Sequence, residues 1–123
     1  MADIKLIRGG ETFHGKQGLD YLAGISAETP GAKAICMHLL EIPPGVSAEA
    51  LYHEAHETAI LVLEGAVEMR HGPNLELVMR MEAGDFIYIP AGAPHQPYNP
   101  TDSVCRGVIA RTDPNEQESV VLL

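Results

Sequence analysis

A chain of 123 residues has room for one packed core and not for two. Hydrophobic residues make up 46% of it and charged residues 20%, the balance of a globular domain and not of a disordered or fibrous chain. Seventeen acidic residues against eight basic ones give a formal net charge of −9, a sign that repels phosphate backbones and anionic headgroups and so excludes nucleic acid and membrane surfaces as favoured partners.

Along the chain, short apolar runs at 21–25, 32–42, 58–63, 67–70, 76–81, 86–89 and 104–110 read as β-strands, and no segment has the period of a long amphipathic helix. Between them lie turn-forming groups: Pro43-Pro44-Gly45, Glu64-Gly65, His71-Gly72-Pro73-Asn74, Gly84-Asp85 and Pro90-Ala91-Gly92. Many strands with connections too short for helical crossovers predict an all-β sandwich or barrel. Residues before about 32 and after 112 read as peripheral to a core of about 32–112, within one domain covering 1–123. The longest apolar stretch, 59–63, is far below the ~20 residues of a membrane-spanning helix, and no basic segment followed by an apolar one opens the chain, so the expected location is cytoplasmic. Cys36 and Cys105 sit in apolar strands and are expected to be buried small hydrophobes, not ligands.

Two segments carry chemistry. Gly84-Asp85-Phe86-Ile87-Tyr88-Ile89-Pro90-Ala91-Gly92-Ala93-Pro94-His95-Gln96-Pro97-Tyr98-Asn99 holds a tight turn, an apolar strand, a Pro/Gly bend, and a histidine delivered at the start of the next strand. That order and spacing, glycine, five residues, proline, one, glycine, two, histidine, three, asparagine, resembles the second conserved motif of the cupin superfamily. Gly45 to Gly65 resembles the first motif in altered form: Leu51 stands where its first histidine belongs, His53 at its second, and Thr58 where its glutamate belongs, while His56 and Glu57 lie just before that place. The resemblance implies a double-stranded β-helix, or jelly-roll barrel, with one divalent transition metal ion (iron, manganese, nickel, copper or zinc) inside it.

Candidate metal ligands are therefore His53, His56, Glu57 and His95, since imidazole and carboxylate donors suit such ions. Strand alternation sets His56 on the side of Thr58 and Glu57 on the other, whereas a one-residue bulge would exchange them, so both stand as candidates. His38, among apolar neighbours, is expected to be a hydrogen-bonded core residue, and His14 and His71 to be solvated. No catalytic residue is assigned. The expected function is a metal-binding cupin acting on a small organic molecule by dioxygenase, isomerase or cyclase chemistry; the alternative is a non-catalytic barrel that binds a small ligand or serves as an assembly subunit. Terminal Val120-Val121-Leu122-Leu123 would be costly in water, which predicts a homodimer held partly by that strip.

Overall fold

The computed structural model describes residues 3–9, 11–115 and 120–123. It is built of antiparallel strands: β1 (Thr12–His14), β2 (Asp20–Ile25), β3 (Cys36–Ile42), β4 (Leu51–Tyr52), β5 (Thr58–Glu64), β6 (Ala66–His71), β7 (Leu77–Glu82), β8 (Phe86–Ile89), β9 (His95–Tyr98), β10 (Cys105–Arg111) and β11 (Val121–Leu122). Six form one sheet in the order β1-β2-β3-β10-β5-β8, and five form a second in the order β11-β4-β9-β6-β7. Non-consecutive neighbours in both sheets are the signature of a jelly roll, and the expected all-β barrel is what the chain adopts.

Period-two patterning turns one face of each sheet inward. In β3, Cys36, His38, Leu40 and Ile42 are buried and Met37, Leu39 and Glu41 are exposed; in β10, Cys105, Gly107, Ile109 and Arg111 share the inward phase. Leu40, Ile42, Val62, Val67, Met69, Met81 and Ile109 form the core between the sheets. Both cysteines are buried thiols, as their apolar strands imply.

Gly65 makes the turn between β5 and β6 possible. Its φ is +80°, and a Cβ there would lie 2.5 Å from the carbonyl oxygen of Val104, so this turn of the first motif region has room only for glycine.

Four features differ from the sequence expectation. Packing begins before residue 32: β2 pairs with β3 and contributes Tyr21 to the core, together with Leu19 just before it. The run at 32–42 becomes strand only from Cys36, after the Pro30-Gly31 turn region. The terminal strip adds β11 to β4 of its own barrel, with Val121 opposite Tyr52 and Leu122 opposite Leu51, so its cover comes in part from its own chain. The strand at 86–89, whose unbroken run of apolar and aromatic residues predicts burial on both faces, buries only one, because Phe86 and Tyr88 project outward.

Candidate functional site

The two sheets enclose a cavity of about 50 Å³, lined mostly by aliphatic side chains from Leu19, Leu40, Ile42, Val62, Val67, Met69, Met81, Ile89 and Ile109. Its polar groups come from Gln17, Tyr21, His53, Thr58, His95 and Arg111, and no acidic side chain is among the residues lining it. That volume accommodates a few heavy atoms, well short of the ~300–1,000 Å³ of pockets for drug-sized ligands.

The second motif builds one side of the site. Gly92, at φ +79°, turns its amide toward the first motif region and donates to the carbonyl oxygen of His53 at 2.7 Å, tying the two segments together. Three residues on, the chain enters β9 with His95 facing inward, paired in register with Leu51 of β4. His95 Nδ1 lies 2.9 Å from the Ala93 carbonyl oxygen, which accepts only if Nδ1 carries the proton; the lone pair is then on Nε2. Burial holds its pKa below the ordinary histidine value, the Ala93 hydrogen bond opposes that, and the positive charge of Arg111 adds to it. His95 is thus neutral at pH 7 and able to accept a proton or a ligand.

The first motif region supplies His53, whose ring centroid is 5.3 Å from that of His95. His56 is also buried, with its ring 4.3 Å from that of His53, but its Nδ1 faces Asp113 Oδ2 at 3.5 Å and it is not part of the cavity wall. Glu57 faces outward, where its carboxylate accepts a 2.6 Å hydrogen bond from the Tyr88 hydroxyl. Regular alternation decides between them: Thr58 begins β5 pointing inward, Glu57 points away, and Thr112 continues the pairing outward by accepting the Glu57 amide and donating to its carbonyl. The irregularity in the β5–β10 ladder falls at Arg106 and Gly107, not at the strand start. The structure therefore gathers His53, His56 and His95 and leaves Glu57 outside.

Other histidines sit elsewhere. His38 is buried, accepts the Gly24 amide on Nδ1 at 3.0 Å and meets Phe13 edge-on. His14 is exposed beside Asp20, and His71 is half-buried at the end of β6. Gln96 donates to the Ala48 carbonyl oxygen outside the cavity.

Whether these residues suit a divalent ion can be judged from the donors themselves. Two motif positions hold Leu51 and Thr58, the carboxylate of Glu57 is turned away, and His56 is directed to Asp113. Among the described residues no group of three or more His, Cys, Asp or Glu side chains is arranged to hold a metal ion. Two imidazoles beside a guanidinium do not fit a firmly held divalent cation.

Arg111, Tyr21 and Gln17 are not among the candidates that the sequence offers. Arg111 carries a signal there, since it occupies the inward phase of 105, 107 and 109; a charged residue at a strand end is ordinarily read as solvated. Gln17 Nε2 donates to the Tyr21 hydroxyl, and Arg111 Nη2 lies 3.4 Å from the same oxygen.

A family model described as "Cupin domain" matches residues 38–110. No curated protein matches. Among solved structures, the polyketide cyclase RemF from Streptomyces resistomycificus is similar at 25% identity and a TM-score of 0.73, over 95% of this chain and 76% of that one. A Cupin 2 conserved barrel domain protein from Salinispora arenicola matches at 22% identity and 0.72, over 90% and 91% of the two chains. Bacillus subtilis oxalate decarboxylase matches at 19% identity and 0.75, over 92% of this chain but 30% of that one. The last two likenesses carry the fold alone.

Proposed function

The chain belongs to the cupin domain family, and from that premise we propose that its barrel binds one small organic molecule, with the ligand's polar group at the His53, His95 and Arg111 end and its apolar part among the aliphatic walls. The observation that carries this reading is the cavity itself: aliphatic on most of its lining, with a few polar side chains among them, and free of acidic side chains. Likeness to a polyketide cyclase over nearly the whole chain supports an organic ligand.

The residues can bind, orient and move a proton. His95, neutral at pH 7 with its Nδ1 proton on the Ala93 carbonyl, has the lone pair of Nε2 available as a general base. His53 is held beside it through the Gly92 amide, and the aliphatic walls exclude water from whatever lies between them.

A second reading is favoured by one observation: the rings of His56 and His95 lie 4.3 and 5.3 Å from that of His53. In that reading His56 would turn from Asp113 to join the other two, giving the third imidazole that the present arrangement withholds, and the three would hold a divalent transition metal, which would supply Lewis-acid or redox chemistry when bound. Association of two copies belongs to the proposal as well, through the terminal strip, where Leu122 and Leu123 stay exposed and β11 forms the edge of its sheet.

Native mass spectrometry of untagged protein tests these points together. The expected spectrum is that of a dimer in which fewer than about a tenth of chains carry metal mass, before and after incubation with Zn(II), Mn(II) or Fe(II). Close to one ion per chain after incubation would replace the metal-poor reading with the second one, and a monomer mass would end the proposal of a dimer.

A further inference from the structure

Thr58 occupies the place where the first motif has its metal-binding carboxylate, and its surroundings are of opposite electrostatic sign. It opens β5 directly opposite Arg111, the last residue of β10, so the two side chains are cross-strand neighbours on the inner face. Both are buried, and both line the cavity. The Thr58 hydroxyl has no hydrogen-bond partner among the described residues, although burying a hydroxyl without one is unfavourable. Arg111 keeps its charge at every accessible pH, and its guanidinium stands over the Tyr21 ring, 5.4 Å from the centroid, with Nη2 near the Tyr21 hydroxyl. The same charge helps to depress the pKa of buried His38. Where a cation site would present a carboxylate, this barrel presents a hydroxyl donor and a guanidinium.

We propose that the cavity is selective for a small organic anion, a short-chain carboxylate whose oxygens are bound by the Arg111 guanidinium and the Thr58 hydroxyl and whose hydrocarbon tail packs on Ile60, Val62 and Ile109. The proposal rests on the reading of the cavity as a ligand site and adds the charge of the ligand. Guanidinium and hydroxyl donors match the two oxygens of a carboxylate, and charge-assisted hydrogen bonds away from water are stronger than neutral ones. The volume of about 50 Å³ restricts the acid to a few carbons. Lining residues of this kind contain no negative charge to repel it.

The test is isothermal titration of the full-length protein with butanoate and with its neutral isostere butanamide, in a buffer free of carboxylates. Butanoate is expected to bind about tenfold more tightly than butanamide, the discrimination one or two charge-assisted hydrogen bonds supply. Thr58→Val removes a hydroxyl without changing side-chain shape and is expected to weaken butanoate several-fold while leaving butanamide unchanged. Arg111→Met is expected to abolish the preference. Should that variant fail to fold, the isostere pair and Thr58→Val still decide. Equal binding of the two probes by the unaltered protein would overturn the anion preference and leave the cavity as a ligand site; no binding of either would overturn both.

Discussion

Asn99→Ala is expected to destabilise the protein by about 3 kcal/mol, lowering the melting temperature by roughly 10 °C. The side chain is buried and fully used: Nδ2 donates to the carbonyl oxygens of Ile42 at 2.9 Å and Ser103 at 2.7 Å, and Oδ1 accepts from the amide and the hydroxyl of Thr101 at 2.9 and 2.6 Å. Alanine would take the side-chain donor from the Ile42 carbonyl at the end of β3 and the acceptor from the Thr101 amide in the turn after β9, leaving the Ser103 carbonyl only the Thr101 hydroxyl. Asn99→Asp retains the acceptor but sets a carboxylate against two carbonyl oxygens, so it is expected to be no better than alanine. Thermal and urea unfolding of the three proteins check this; a loss below about 1 kcal/mol for both variants would show that water or rearrangement replaces the network.

The second large effect is loss of stability in acid. Burial, reinforced by the charge of Arg111 and opposed by Glu28, lowers the His38 pKa from 6.5 to about 4. Because the unfolded chain takes up this proton near pH 6.5 and the folded chain only near pH 4, the unfolded state binds more protons throughout that window. Stability is therefore highest above pH 6.5 and declines as pH falls toward 4. The loss amounts to about 2–3 kcal/mol, since a tenfold change in proton affinity corresponds to about 1.4 kcal/mol and solvent near the ring screens part of it. His95, also depressed, contributes with the same sign, so the His38 part is isolated by a variant. His38→Gln, whose amide oxygen can accept the Gly24 N–H in place of Nδ1, is expected to flatten most of the slope between pH 4 and 6.5. An unchanged slope in that variant would assign the acid sensitivity to other groups.

These two residues also mark how far the sequence reaches. Asn99 stands at a fixed place in the second motif, but only the folded chain reveals that its side chain holds the turn after β9. His38 is legible as a core histidine from its apolar neighbours, whereas how far its pKa falls depends first on the burial that the folded barrel gives it and next on Arg111, distant in sequence and brought close by the β3–β10 pairing. The barrel, most strand positions and the delivery of His95 at the start of a strand follow from turn residues and period-two patterning, which are local, whereas the place of His53 follows from the resemblance of its segment to the first cupin motif. What escapes the sequence is non-local. The choice between His56 and Glu57 hangs on whether the ladder begins with a bulge, and the β5–β10 register, with Thr58 opposite Arg111, decides that the alternation is regular. The role of Arg111 is hidden because β2 reads as peripheral in the sequence; Tyr21 on that strand is what covers the guanidinium and makes it an interior charge. The terminal strip needs cover by its composition, but its partner, β4, is a two-residue strand too short to be seen in the pattern.

The central claim, that the barrel interior is a site for a small organic molecule, is tested most directly by NMR of protein carrying ¹³C-methyl methionine. Met69 and Met81 line the cavity, while Met37 and Met79 are exposed on the outer surface. Titration with butanoate and butanamide in turn is predicted to shift the Met69 and Met81 methyl resonances along a saturating curve with at least one of the two and to leave Met37 and Met79 in place. Saturating shifts confined to the outer methionines, or none at any of the four with either compound, would contradict it.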